Sequence, residues 1–404
     1  MLTPEYLLNI SEGAEEIAEY LHADIMNRII ERIMIRLNRG EEYLLTSRDK
    51  WQIEVLQEAG YLFEDIQKEI EKRTGEQAQE IAEAFEDAGV KNLEWDDKIY
   101  RAAGLSPVPL WESPYMIRLM QRTYEATIGE WKNFTHTTAK KAQSDFIQAL
   151  DEMYIKVTSG SVSYSQGFLE CLERFNENEV YVTFPSGRKD TLETAALRCV
   201  RTGISQMSGE ITEVRMKEMN WDIVLVSSHL GARVTKANDY TNHSWWQGKF
   251  YSLSGTDTRF PPYSVCGEGE VQGIHGANCR HSKGPGDGVH NPFENYDSKE
   301  NKKAYEIQQR QRVLERRIRN TKRQTMNLKT SVDLCKDDKT KFELDLSYQK
   351  KAALLQKQNA EYKEYCKNNN LKELHERIAV ARWDRKQAAA ARGAAQRYHN
   401  AKGD

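Results

Sequence analysis

Over roughly the first 155 residues, apolar side chains return at helical spacing. Ile17, Leu21, Ile25, Ile29, Ile33 and Leu37 recur every four positions behind an acidic turn at Glu12, Glu15 and Glu16, the charge that suits a helix N-terminus. Gly40 ends this helix. Ser47 stands where a second helix needs its cap, ahead of Trp51, Val55 and Leu56, and Gly60 is expected to stop it by taking the left-handed conformation. A third begins at Tyr61. Ser113-Pro114, a cap followed by proline at the first helical position, announces a fourth, whose Ile117, Met120, Tyr124, Ile128 and Trp131 form one apolar stripe. Such a stripe reads as core or as a contact to a neighbouring subunit.

The pattern changes near Thr158. Ser159-Gly160-Ser161 interrupts the helical period, and Val180-Tyr181-Val182-Thr183-Phe184 followed by Pro185-Ser186-Gly187-Arg188 predicts a strand running into a turn. A helix over about 192–218 leads into Trp221–Ser227, the strongest strand candidate, and then into a Gly-, Pro- and Trp-rich stretch to Pro292 with little periodicity. After Asn295, Ile307, Gln311, Leu314, Ile318, Thr321, Thr325, Leu328, Val332 and Cys335 alternate spacings of four and three, a heptad seam with several polar members. A partner helix is expected over Leu344–Cys366, and the Ala-rich end, 387–404, is expected to be frayed.

These readings predict an α+β chain, predominantly α. Its parts are a helical domain over 1–155, a small loop-rich α+β module over 156–295, a basic helical hairpin or coiled coil over 296–386, and a flexible tail over 387–404. A length of 404 residues accommodates several cores, while 29% charged residues and a mean hydropathy of −0.76 favour long exposed helices over one compact sphere.

Charge divides the chain unevenly. Residues 299–404 hold 27 Lys and Arg against 14 Asp and Glu, a balance of +13, while the residues before them hold 31 against 47, or −16. A basic helical end attracts a polyanion without base-reading groups; a solvated tail is the plainer alternative. Arg310, Arg312, Arg316, Arg317, Arg319, Lys322 and Arg323 fall within about four helical turns and are the candidate DNA contacts. The longest aliphatic run, Ile223–Val226, is far short of the roughly 20 residues a membrane span needs, and the N-terminus carries no secretory pattern. A cytoplasmic start and six reduced cysteines are therefore expected.

Chemistry concentrates between His229 and His290. Cys266, His275, Cys279 and His281 supply the ligand types of a tetrahedral zinc site, although eight residues separate the first pair and one the second, against the two to four of common structural sites. Buried cysteines and hydrogen-bonded histidines account for the same letters, so no cofactor is required and a structural zinc stays open. His229, Arg233, Asp239, His243, Asp257 and His275 offer an acid, a base and an electrophile for a hydrolase or transferase, but no catalytic motif orders them.

This stretch also carries a resemblance. Val226-Ser227-Ser228-His229-Leu230-Gly231-Ala232-Arg233, Asn242-His243-Ser244-Trp245-Trp246-Gln247-Gly248-Lys249, Thr258-Arg259-Phe260-Pro261-Pro262-Tyr263 and Gly276-Ala277-Asn278-Cys279-Arg280-His281 closely resemble the phage minor capsid protein 2 family, relatives of the phage Mu F-like head proteins. Residues 26–70, the run Gln309–Arg319 and Tyr365-Cys366-Lys367 extend the likeness to about residue 380, and the Ala-rich end departs from it.

The resemblance implies a structural component of a tailed-phage head, present in few copies at the portal vertex, with DNA and the portal and capsid proteins as partners and a homo-oligomer around the portal as one arrangement. It implies no membrane and no catalysis, and assembly in the host cytoplasm before residence in the virion. Some relatives continue into toxin or enzyme domains, where this sequence has only helices.

Overall fold

The computed structural model describes residues 1–44, 47–177 and 181–403 and is predominantly helical. Helices α1 (Pro4–Asn9), α2 (Glu12–Leu37), α3 (Glu41–Leu44), α4 (Arg48–Ala102), α5 (Pro114–Thr158) and α6 (Tyr164–Glu177) precede a hairpin of β1 (Tyr181–Thr183) and β2 (Lys189–Thr191). Then α7 (Leu192–Glu218) enters a three-stranded antiparallel sheet. There β3 (Ile223–Val226) lies between β4 (Phe250–Ser252) and β5 (Lys283–Pro285), with the short α8 (His243–Trp246) before β4. The chain closes with α9 (Ser298–Leu334), α10 (Asp338–Asn368) and α11 (Arg385–Lys402).

Most boundaries follow local chemistry. Ser47 Oγ accepts the amide of Lys50 at 3.1 Å, and Ser113 Oγ accepts that of Met116 at 3.4 Å, so both expected caps form. Gly40, Gly160 and Gly187 take φ of +85°, +74° and +79° at the helix ends and hairpin turn where the sequence put them. Val180, assigned from sequence to the first strand, lies outside the described residues.

Two expectations fail. Gly60 does not stop a helix: α4 runs through it for 55 residues, because Leu62 and Ile66 continue the buried stripe and the position is no longer asked to be left-handed. Nor is 387–403 frayed. Asp384 caps α11 by accepting the amide of Gln387 at 2.8 Å, and Ala391, Ala394 and Ala395 are buried where α11 packs on α10. Alanine is the best helix former, and its small side chain permits close helix approach.

The chain folds as two units, each assembled from three stretches: residues 1–15, 74–132 and 194–309, and residues 16–73, 133–193 and 310–404. Because α2, α4, α5, α7 and α9 each contribute to both, these units cut across the boundaries that composition suggests at 155 and 295. The first holds 19 Lys and Arg against 27 Asp and Glu, the second 39 against 34, so the charge asymmetry survives as −8 and +5.

In the first unit, Leu7, Ile81, Phe85, Met116, Met120, Ile128, Ile204 and Ile211 form one core. The stripe on α5 is thereby satisfied within the chain: Met120, Ile128 and Trp131 are buried, and Trp131 Nε1 donates to Thr74 Oγ1 at 3.0 Å. A second cluster joins Tyr100 and Met216 to the sheet through Val224, Val226, Trp246, Tyr251, Tyr263, Cys266, Ile274 and Cys279.

In the second unit, every expected seam residue of α9 from Gln311 to Cys335 is buried, and Leu314 and Ile318 meet Leu355, Tyr362 and Cys366 of α10. Arg36, at the end of α2, is fully buried beneath Trp51, its guanidinium 4.5 Å from the ring and its Nε donating to Glu58 at 2.6 Å. Tyr164 closes the same helix, its hydroxyl donating to the carbonyls of Arg36 and Leu37.

Candidate functional site

The first unit gathers His229, His243, Cys279 and His281 around the end of the sheet. His229 follows β3, His243 opens α8, and Cys279 and His281 lead into β5. A tight loop delivers Cys279. Ile274 N–H donates to Cys266 O and Ala277 N–H to Val271 O, and a Cβ at Gly273 would fall 1.9 Å from the carbonyl oxygen of Gly267. Only glycine fits there.

Cys279 Sγ sits 3.6 Å from His281 Nδ1 and 3.9 Å from His243 Nδ1. All three side chains are buried, and His229 stacks on His281 with ring centroids 4.5 Å apart. The other ring nitrogens are committed. His243 Nε2 lies 2.8 Å from the carbonyl oxygen of Gln272, which only accepts, so Nε2 carries the proton. His281 Nε2 lies 2.9 Å from Gln247 Oε1, and the backbone N–H of His229 donates to that same oxygen at 3.1 Å, identifying it as the amide's acceptor. His281 is therefore also protonated at Nε2.

Burial, with Arg233 second, lowers the pKa of His243 to about 4; burial and then the neighbouring His229 and His243 hold His281 well below its usual value. Both rings are neutral near pH 7. Burial raises the thiol of Cys279, against the pull of Arg233 and Arg280.

The four residues singled out by type divide. Cys279 and His281 belong to this cluster; Cys266 and His275 do not. Cys266 packs in the apolar cluster beneath the sheet, where burial pushes its thiol up. His275, at φ +60°, turns Nδ1 to Ser205 Oγ at 2.8 Å and Nε2 to within 3.9 Å of Glu268. The place expected of that pair is taken in part by His243, 36 residues before Cys279, too distant in sequence for spacing alone to join them.

Ser205, His275 and Glu268 have the residue types of a catalytic triad. Ser205 and His275 are buried, however, and Glu268 is held by the ammonium of Lys283 at 2.5 Å. Asp239 accepts from Thr241 within its own turn, and Asp257 pairs with Arg259 on the surface. Neither carboxylate orients a histidine among the described residues.

The remaining residues of the family motifs frame the sheet. Trp246 is buried, donates from Nε1 to Tyr240 O at 3.0 Å and meets His243 and His281 edge-on or tilted. Trp245 is partly exposed. Pro261 O accepts the amide of Ser252, and Pro262 extends the sheet by a bridge to Ser252. Arg233 ties the carbonyls of Gln272 and Ala277 together, and Arg280 reaches His229.

In the second unit the candidate DNA contacts also divide. Arg310, Arg316 and Arg317 are exposed, Arg312 and Arg319 half-buried. Lys322 and Arg323 fall on the seam side and are buried, which removes them from any phosphate-facing surface. Lys322 Nζ donates to Ile378 O at 2.5 Å, and burial lowers its pKa to about 8. Arg323 pairs with Glu19 and Glu193. Exposed Lys350, Lys357 and Lys363 on α10 and Arg385, Lys386 and Arg392 on α11 add positive charge that the seven sequence candidates leave out.

Residues 2–365 match the family described as Phage minor capsid protein 2. No curated protein and no solved structure matches the chain. No helix among the described residues is long and apolar enough to cross a membrane.

Proposed function

The chain belongs to the phage minor capsid protein 2 family, a structural component of the phage head, and from that premise we propose that it joins the portal to the packaged genome. It enters the virion from the host cytoplasm, contacts DNA through its basic helices, and aids head assembly, packaging or ejection without catalysis. The observation that carries this reading is the exposed basic side chains of α9, α10 and α11 in a unit of net charge +5. Phosphate contacts of that kind give affinity without sequence preference.

The partner contact on the protein side falls to exposed apolar residues. The α5 stripe is spent in the core, but Ile53, Leu56 and Tyr61 on α4 stay more than half exposed, a patch that suits a protein partner such as the portal or a second copy. The test uses the whole chain. It should retard duplex DNA of any sequence, lose affinity steeply with salt, and co-purify with the portal protein. Binding to the portal but not to DNA at low salt would turn the basic helices into a protein contact.

A further inference from the structure

We propose that His243, Cys279 and His281 bind one zinc ion, through Nδ1, Sγ and Nδ1. Protons are too few for the lone pairs of this buried site. With both Nε2 atoms protonated and bonded to oxygen, two Nδ1 lone pairs converge on one thiol. That thiol has a single proton and can donate it to only one of them. The other lone pair is left without a donor among the described residues, in a cluster whose three members are each at most 2% exposed. A cation in place of the thiol proton satisfies both lone pairs and the sulfur together.

The sulfur-to-nitrogen dimensions fit. Zinc bonds of about 2.3 Å to sulfur and about 2.0–2.1 Å to nitrogen, arranged tetrahedrally, place S and N about 3.5 Å apart; the observed separations are 3.6 and 3.9 Å. The three ligand atoms lie within 4.8 Å of one another, so the two imidazoles draw together when the ion enters. One thiolate and two imidazoles suit zinc over magnesium or calcium, which prefer oxygen. The surroundings are those of a ligating histidine, whose second ring nitrogen donates to a carbonyl or equivalent oxygen. Gln272 O and Gln247 Oε1 do this here, and the backbone N–H of His281 donates to Sγ at 3.4 Å. Binding releases the thiol proton as sulfur changes from S–H to S–Zn, with no change of oxidation state. Gln247 also lines a surface cleft of about 520 Å³ with Lys249, Phe250, Phe260, Asn291 and Tyr296.

Purified full-length protein, grown with zinc and dialysed, should contain one zinc per chain by elemental analysis. Replacement by Co²⁺ should give a thiolate-to-cobalt charge-transfer band and the intense visible bands of tetrahedral cobalt. The wild-type spectrum identifies a sulfur ligand without any variant. Cys279→Ser should lose the charge-transfer band, and Gln247→Leu, which changes no ligand atom, should weaken binding roughly 10- to 100-fold. Cys266→Ala and His275→Gln should keep one metal per chain. A wild-type protein that takes up neither ion, a Cys279→Ser protein that keeps the charge-transfer band, or a folded Cys266→Ala protein that loses the metal would each overturn the assignment.

Discussion

Arg323 meets Glu193 across 130 residues of sequence, its Nη2 donating to Oε1 at 2.6 Å with both side chains buried. The same nitrogen donates to Glu19, so one guanidinium of α9 neutralises carboxylates from α2 and α7 inside the second unit. Removing one member of such a group is costly because the others stay buried and unpaired. Arg323→Ala should therefore destabilise the protein by about 3–5 kcal/mol, whereas Arg317→Ala, at an exposed position, should stay within about 0.5 kcal/mol. Urea unfolding midpoints compare the two directly, and equal midpoints would mean the pairing carries no stability.

The same cluster makes stability depend on pH in two opposing ways. Burial, with Glu193 beside it, pushes Glu19 up to about 7, so between its ordinary 4.5 and 7 the folded protein holds a proton that the unfolded chain has lost. That contribution to stability falls as pH rises through the window. Burial and Arg323 lower His22 to about 3, so between 3 and 6.5 the unfolded chain holds the extra proton and stability rises with pH. Relative to wild type, Glu19→Gln should gain stability from pH 4.5 to 7 and then level off. His22→Gln should show its greatest relative gain near pH 3 and lose it by 6.5. Chemical denaturation across pH 3–8 reads both slopes, and two flat differences would refute the burial argument.

The sequence made legible what local chemistry decides. The seam of α9, the caps at Ser47 and Ser113, the bounds of α7 and the strand at Ile223–Val226 all follow from spacing or from a side chain meeting its own backbone. The misses share a different origin. Gly60 carries a strong stop signal, yet packing of the residues beyond it carries α4 onward, and the alanines of α11 find a partner helix that composition does not reveal. At the histidine cluster, residue type drew Cys279 and His281 together, as they lie in the fold, while His243 joins them through a turn of α8 and the β3–β4 pairing, which sequence proximity does not encode.

Gly60 offers a test of that account. A Cβ there meets nothing within 4 Å, and the residue sits inside a long helix without a positive φ. Gly60→Ala should stabilise the protein by about 0.5–1 kcal/mol by reducing the freedom of the unfolded chain. The gain should appear as a higher thermal midpoint. Gly273→Ala is the contrasting case, since its Cβ would overlap the carbonyl oxygen of Gly267, and it should destabilise the loop that carries Cys279.

The split among the basic residues of α9 separates charge that faces solvent from charge that holds the fold. Arg310, Arg316 and Arg317 are exposed, Arg310 while pairing with Glu361 at 3.3 Å, whereas Lys322 and Arg323 are buried and engaged with Ile378 O and with Glu19 and Glu193. If DNA is bound through phosphates, each exposed arginine that neutralises one releases counterions on binding. Changing all three to alanine should then flatten the dependence of log K on log salt by roughly 0.9 for every phosphate no longer neutralised, up to roughly 2.7, and weaken binding equally for unrelated sequences. Lys322→Met should leave that slope unchanged, because its ammonium is already spent on a backbone carbonyl. Fluorescence anisotropy with two unrelated duplexes over a salt series provides the measurement. A triple variant with the wild-type slope would exclude α9 as the DNA-facing element and shift attention to the lysines and arginines of α10 and α11.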